Sequence, residues 1–156
     1  MIIETKRMIS SGHIVDGETK CARLHGHNWF VTVRIEAEVG KDGMVVDFLK
    51  VKEVIDKLDH RFILTRKQIV EQIETDQGGV YVVLAGGRNY VLPADVCFVI
   101  DEPYSTSECL VNYFIGEFKK ILWSRFQTSK LKVSVEETPG SLSEQEVIVE
   151  IESGNV

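Results

Sequence analysis

The most regular pattern in the chain is the alternation of apolar and polar positions over residues 29–39. Odd-numbered positions in this run are apolar and most even-numbered ones are polar, which is the period of a half-buried strand. Side chains two residues apart share a face of a strand, so His25 and His27 extend the apolar face that begins at Trp29. The strand is therefore predicted to span residues 25–39.

Two longer stretches have the spacing of an amphipathic helix. Asp47 is a good N-cap for the apolar residues that follow it, which predicts a helix over residues 48–58. Ser105-Thr106-Ser107-Glu108 has the capping-box pattern, with Ser105 as the cap, and predicts a second helix that ends near Arg125.

The remaining pattern predicts strands, one hairpin and one short helix. These are a first strand over 2–9, a short helix over 65–75, a hairpin of 79–85 and 89–92, a strand over 96–100, a strand over 130–138, and a last strand whose inner face is Val147, Val149 and Ile151. The order of elements predicts an α+β fold, an antiparallel four-stranded sheet with two helices on one face plus an inserted β-hairpin. Such a sheet has unpaired edges that oligomerisation would cover.

Composition narrows the class of protein. The chain has 156 residues, of which 44% are hydrophobic and 27% charged, as expected for one globular domain. No apolar run approaches the roughly 20 residues of a membrane helix, and no signal-peptide pattern is present, so a cytoplasmic protein is expected. The net charge of −6 without a basic run argues against a general nucleic-acid binder, although a local Lys/Arg cluster would suffice for a phosphorylated small substrate. The three cysteines indicate free thiols in a reducing compartment.

A thiol and two imidazoles lie within seven residues, Cys21 to His27. The Cα atoms of His25 and His27 should lie roughly 6.5–7 Å apart, from which two rings can converge on one metal ion. Gly26 between them leaves room for another element or a ligand. Two alternatives stay open: ordinary histidines at a strand start, or a structural zinc site that includes the Cys21 thiolate.

Glu137 is an acidic side chain that closes an apolar stripe. It shares a strand face with Leu131, Val133 and Val135, whereas Glu136 lies on the polar face. A carboxylate can accept two parallel N–H bonds from a planar guanidine-like edge, which occurs in arginine and in the aminopyrimidinone of pterins and guanines. The alternative is a solvated glutamate at a strand end.

The other reactive groups are less specific. Asp59-His60 forms a carboxylate–imidazole pair, although neighbouring side chains seldom hydrogen-bond without a special turn. Cys21 is either a nucleophile or base with a lowered pKa, or a buried loop cysteine. Cys97 is expected in the core and Cys109 in a structural position on the second helix.

Taken together, these residues resemble the 6-pyruvoyl-tetrahydropterin synthase family. Six motifs occur in the family's order: His13; Cys21-x-x-x-His25-Gly26-His27; Gly43-Met44-Val45-Val46-Asp47-Phe48; Leu58-Asp59-His60; Thr106-Ser107-Glu108; and Val135-Glu136-Glu137-Thr138. The match covers residues 1–62 and 104–140. The cysteine–histidine spacing looks most like the 6-carboxy-tetrahydropterin synthase branch, which feeds deazaguanine (queuosine or archaeosine) biosynthesis.

The resemblance implies a tunnelling fold, in which trimers stack into a hexamer and the sites lie between subunits. It implies Zn²⁺ held by His13, His25 and His27, with a fourth position left for substrate. It also implies catalytic roles for Cys21 as the base, Asp59 and His60 as its partners, and Glu137; Glu137 would anchor the pterin, with Thr106 and Ser107 near it. The expected reaction converts 7,8-dihydroneopterin triphosphate to 6-carboxy-tetrahydropterin, with release of acetaldehyde, or to 6-pyruvoyl-tetrahydropterin.

Two features depart from the family pattern. Ser10-Ser11-Gly12 replaces the usual aromatic and alanine residues before His13, and residues 66–103 form a longer segment, expected as an insertion into one domain of residues 1–156. Alternative functions are an aldolase- or epimerase-type activity on dihydroneopterin and a non-catalytic zinc- or pterin-binding module. A zinc hydrolase is less favoured, because no glutamate accompanies the histidines as in His-Glu-x-x-His.

Overall fold

Nine strands and two helices follow one another along residues 1–17 and 19–150, the part of the chain that the computed structural model describes. The strands are β1 (Ile2–His13), β2 (His25–Glu36), β3 (Phe62–Thr65), β4 (Ile69–Thr75), β5 (Gly78–Ala85), β6 (Arg88–Pro93), β7 (Cys97–Ile100), β8 (Thr128–Thr138) and β9 (Ser141–Glu150). The helices are α1 (Phe48–Asp56) and α2 (Ser107–Trp123), and three single 3-10 turns lie at Lys20–Ala22, Arg66–Gln68 and Ala94–Val96.

The main sheet has six strands in the order β7-β3-β1-β2-β8-β9. The four long strands are antiparallel, as the order of elements predicts, but β3 and β7 add to the free side of β1 in parallel. The expected four-stranded sheet is therefore too small. Strand β3 was not predicted because it has four residues, too few and too uniformly apolar to show a period; its Ile63 and Leu64 are fully buried.

Both helices cover one face of this sheet, as expected. The inward side chains of β2, from Trp29 to Ile35, are at most 2% exposed and form one core with the buried faces of α1 and α2. The Asp47 carboxylate caps α1 as predicted, accepting a hydrogen bond of 2.8 Å from the Leu49 amide. Among the residues described, no helix is both long and apolar enough to span a membrane.

The expected short helix over residues 65–75 is wrong. Thr65 ends β3, residues 66–68 make one 3-10 turn, and the next seven residues are strand β4. Four of those seven residues are β-branched, which favours a strand, and β5 pairs with them.

A small separate sheet, β4-β5-β6, occupies the segment between β3 and β7. It contains the predicted hairpin, whose turn residues Gly86 and Gly87 have φ angles of +56° and +70°. Both central residues of such a turn need a left-handed backbone, which glycine adopts without strain. A second apolar cluster joins the small sheet to the main one: Val83 and Ala85 of β5 pack with Ile14, Leu64 and Cys97.

Several predicted boundaries shift. β2 ends at Glu36 instead of 39, and α1 ends at Asp56 instead of 58. The N-cap of α2 is Thr106, so Ser105 as the cap is wrong: its buried hydroxyl donates to the Ile14 carbonyl (3.0 Å) at the end of β1. The predicted inward position of Ile151 lies outside the described residues.

Candidate metal centre and its surroundings

The end of β1 and the start of β2 lie side by side, so that His13 pairs with His25 and Ser11 with His27. The imidazoles of His13, His25 and His27 therefore meet at one end of the sheet, with one nitrogen of each within 4.8 Å of the others. His13 is fully buried and the other two rings are half-buried. In the described residues, this cluster of metal-binding groups contains histidines alone.

Backbone carbonyls fix the tautomers of two of these rings. His13 Nδ1 lies 2.6 Å from the Ser105 carbonyl, and His25 Nδ1 lies 2.7 Å from the Arg23 carbonyl. Because a carbonyl oxygen can only accept, each Nδ1 carries the hydrogen and each neutral ring presents a lone pair at Nε2. The two Nε2 atoms face each other at 3.1 Å, so a cation bound between them would satisfy both lone pairs.

His27 and Glu137 complete the centre. His27 Nε2 is buried and makes no hydrogen bond to the described residues; the Glu137 Oε1 atom is 3.3 Å away but outside hydrogen-bond geometry. The same oxygen lies 3.5 Å from His13 Nε2. Glu137 reaches this position at a bulge in β8, where the pairing with β9 shifts by one residue. Glu136 instead accepts a hydrogen bond of 3.0 Å from the Gly140 amide.

Burial favours the neutral form of the His13 and His27 imidazoles. It lowers the pKa of His13 to about 4, and the neighbouring rings of His25 and His27 lower it further against the opposing effect of the Ser105 carbonyl. Burial also lowers the pKa of His27, while the Glu137 carboxylate raises it. Neutral imidazole is the form that binds a metal, so near neutral pH a proton competes little for the ring nitrogens of His13 and His27.

The three histidines fit a metal ion. Two Zn–N bonds of about 2.0–2.1 Å in tetrahedral geometry place their nitrogens about 3.3–3.4 Å apart, close to the 3.1 Å between His13 and His25. The Nδ1–carbonyl bonds are the partners that orient metal-bound histidines in general. A metal would also give the orphaned His27 nitrogen a partner.

Asp59 and His60 form a carboxylate–imidazole pair, a contact that the sequence alone could not establish. Asp59 Oδ2 lies 2.9 Å from His60 Nδ1, and this contact between neighbours exists because His60 has a φ of +57°. The Ser10 amide donates to Asp59 Oδ1 at 2.8 Å and, with burial opposing it, lowers the pKa of that carboxyl. The exposed His60 ring borders the same depression of about 620 Å³ as His25 and His27.

Cys21 stands apart from this cluster. It lies on the 3-10 turn Lys20–Ala22, half-buried, and its amide donates to the Thr19 hydroxyl (3.3 Å). The other two cysteines are buried, as expected; burial and the nearby Asp95 raise the pKa of the Cys97 thiol to about 11. In the described part of one chain, no hydrogen bond or ion pair links Cys21 to His60 or to the three histidines.

Thr106 and Ser107, which the sequence predicts near the bound pterin, lie at the start of α2. The Ser107 hydroxyl is 2.8 Å from that of Ser143 and 3.4 Å from the Glu108 carboxylate, so both of its hydrogen bonds are to other side chains of the protein. Sequence reasoning missed the carbonyls of Ser105 and Arg23, since a main-chain group carries no sequence signal.

Comparisons with known proteins agree with this arrangement. The family model described as 6-pyruvoyl tetrahydropterin synthase matches residues 2–146. A protein of Pyrococcus horikoshii named putative 6-carboxy-5,6,7,8-tetrahydropterin synthase is 32% identical over 141 residues, which cover 90% of this chain and 85% of that protein. A protein of Rickettsia felis named 6-carboxy-5,6,7,8-tetrahydropterin synthase is 38% identical over 88 residues, covering 50% and 64%.

Solved structures share the fold. The Plasmodium falciparum 6-pyruvoyl tetrahydropterin synthase is 22% identical with a TM-score of 0.69, covering 94% of this chain and 97% of that one. An E37A variant of the Plasmodium vivax enzyme is 24% identical with a TM-score of 0.66, covering 97% and 99%. With a family match over nearly the whole chain and a histidine cluster suited to a metal, the chain belongs to the 6-pyruvoyl tetrahydropterin synthase family of lyase-type enzymes.

Proposed function

We propose that this protein is a zinc-dependent lyase that converts 7,8-dihydroneopterin triphosphate to 6-carboxy-tetrahydropterin. The observation that carries the proposal is the convergence of three imidazoles, two of them held with Nε2 lone pairs facing one point, beside the carboxylate of Glu137. The names of the Pyrococcus and Rickettsia relatives favour the 6-carboxy product over 6-pyruvoyl-tetrahydropterin.

Zinc is the metal we assign to His13, His25 and His27. Three neutral nitrogen ligands with one open position are typical of catalytic zinc sites. When bound there, zinc would act as a Lewis acid that polarises oxygens of the substrate side chain and acidifies the neighbouring C–H groups.

Glu137 is the residue we assign to the pterin. Its side chain is 30% exposed at the histidine cluster, so a ligand can reach it. A carboxylate there can accept two N–H bonds from the aminopyrimidinone edge and fix the side chain of the substrate next to the metal ligands.

Cys21, with Asp59 and His60, would move the protons. The Asp59 carboxylate, 2.9 Å from His60 Nδ1, orients the His60 ring. Because no hydrogen bond joins Cys21 to His60 within the described chain, we propose that a second copy of the chain brings them together in a trimer-based hexamer. The free edges at β7 and β9, with Leu142 and Ile148 exposed on β9, support such an assembly.

Product analysis tests the function. The zinc-loaded protein is incubated with 7,8-dihydroneopterin triphosphate, and pterins, acetaldehyde and inorganic triphosphate are measured by mass spectrometry and enzymatic assay. We expect 6-carboxy-tetrahydropterin with equimolar acetaldehyde and triphosphate, and no product from His27→Ala. Conversion of unphosphorylated dihydroneopterin instead would indicate aldolase-type activity, and pterin binding without any conversion would indicate a binding module.

A further inference from the structure

A second cavity lies between the Cys21 turn and the β5–β6 turn of the small sheet. Its volume is about 590 Å³, within the range of small-ligand sites. Its walls carry three cationic side chains, Lys20, Arg23 and Arg88, together with the hydroxyl-bearing Thr19. It is distinct from the depression that borders the histidines, and it draws one wall from each of two elements far apart in the sequence.

Among the described residues, the positive charge in this cavity has no ion-pair partner. Within residues 1–17 and 19–150, none of Lys20, Arg23 and Arg88 forms an ion pair, whereas four other arginines do, such as Arg7 with Asp56 at 2.7 Å. The acidic side chain seen at this junction is Asp16, and it accepts a hydrogen bond of 2.9 Å from the Gly86 amide. Three cations without an ion pair in the described chain, in a protein of net charge −6, form a local site for an anion.

The two walls are fixed against each other. Gly86 approaches Ala22 so closely that a Cβ atom would lie 2.0 Å from the Ala22 carbonyl oxygen. One terminal nitrogen of Arg88 donates to the carbonyls of Gly86 (2.9 Å) and Ala22 (3.4 Å). A guanidinium has five N–H donors, so most of those on Arg88 stay available to a ligand.

The cavity is joined to the metal centre through Arg23. The carbonyl of Arg23 holds His25 Nδ1 at 2.7 Å, while its side chain lines the cavity. Cys21 belongs to the same short turn. An anion bound here would therefore sit beside the chain segment that carries one metal ligand and the proposed base.

We propose that this cavity binds the triphosphate of the substrate, and that the small sheet supplies Arg88 to it. The inference rests on the proposed function for the identity of the ligand. Arginine forks match phosphate oxygens in geometry as well as charge. When the carbon–oxygen bond to the triphosphate breaks, its electron pair stays on the triphosphate oxygen, and the three cations stabilise that charge on the leaving group.

Titration with inorganic tripolyphosphate tests the site without any turnover. Calorimetry compares the wild type with Arg88→Gln and Lys20→Gln, and with Arg66→Gln as the control, because Arg66 is an exposed arginine of the same region that pairs with Asp101. We expect each cavity variant to weaken the Kd by about 10- to 100-fold, the range for a charged hydrogen bond, and Arg66→Gln to change it less than twofold. Arg88→Lys should restore part of the loss.

The outcomes separate the two proposals. No measurable tripolyphosphate binding by the wild type, or equal Kd values in the cavity variants and in Arg66→Gln, would overturn the cavity assignment even if the protein makes the expected pterin. Lys20→Gln keeps the test decisive if Arg88→Gln disturbs the turn, since Lys20 makes no hydrogen bond from its side chain in the described residues. Selective weakening without conversion of dihydroneopterin triphosphate would leave the anion site intact and reject the proposed reaction.

Discussion

At the scale of single residues, the site depends on which nitrogen of each imidazole is free. Ser105 and Arg23 decide this for His13 and His25 through their main-chain carbonyls, so substitutions of their side chains would leave that control in place. The strand alternation predicted that His25 and His27 share a face. The strand pairing that adds His13, and the bulge that turns Glu137 toward it, depend on long-range register that no local pattern encodes.

Replacing Cys21 by alanine should separate catalysis from metal binding. The thiol lies outside the histidine cluster, so the variant should keep its metal and its melting temperature but lose turnover by roughly 10²–10⁴-fold, the range for removing a general base. Metal content and product formation are measured on the same preparation. Parallel loss of metal and activity would favour a structural site that includes the thiolate; full activity would remove Cys21 from the mechanism.

The neighbouring glutamates provide a matched pair of variants. Glu137→Gln should weaken pterin binding by about 10- to 100-fold, because a charged hydrogen-bond acceptor beside the histidines is lost. Glu136→Gln should have little effect, since that carboxylate bonds the Gly140 amide in the β8–β9 turn. A fluorescence titration with a pterin gives both affinities, and equal values would reject the assignment of Glu137.

At the scale of elements, long amphipathic strands and helices were predictable, and short or tertiary-determined ones were not. β2, β8 and both helices follow from periodicity. β1 alternates poorly, and its prediction over residues 2–9 stops short of its end at His13, while β3 has four residues and no readable period. Ser105 matched a capping box, yet tertiary contacts with Ile14 and His13 use its hydroxyl and carbonyl instead. A local capping pattern does not decide the N-cap when the same buried polar groups form hydrogen bonds with residues distant in the sequence.

The turn of the small sheet allows a controlled test of its contact with the Cys21 turn. Gly86 and Gly87 both have positive φ, so alanine at either position should cost about 1–2 kcal/mol from backbone strain. Only at Gly86 does the added methyl group meet another residue, the Ala22 carbonyl. Gly86→Ala should therefore lower the free energy of unfolding more than Gly87→Ala and also weaken tripolyphosphate binding. Equal losses in urea titrations would show that the close contact has no energetic role.

At the scale of the whole molecule, the fold presents two sheets and two separate apolar clusters, and Leu24, next to His25, packs against the cluster that both sheets share. The sheet edges at β7 and β9 are the free ends of the main sheet in the described chain. The number of long strands predicted that the sheet has unpaired edges. It did not predict that β7 forms one of them, because the parallel addition of β3 and β7 to β1 was unexpected.

Removing the metal should destabilise the whole protein, because a ligand that binds the folded state alone adds to its stability. A free metal concentration 100-fold above the Kd contributes about 2.7 kcal/mol. For a domain of this size that corresponds to a fall in Tm of roughly 5–10 °C on chelation. Differential scanning calorimetry with and without chelator measures the shift, and His27→Ala, which lacks one ligand, should show none. An unchanged Tm for the chelated wild type would contradict the metal assignment.

The pairing of His13 with His25 also couples the candidate metal centre to the register of the sheet. If β1 slid by one residue along β2, Gly12 or Ile14 would take the place opposite His25, and the cluster would lose a ligand. The same slide would turn the buried side chain of Ile9 away from the core, so burial of the apolar face already favours the register that assembles the histidines. A metal bound there would add its binding free energy to that register alone, so core packing and metal binding favour the same pairing of the two strands.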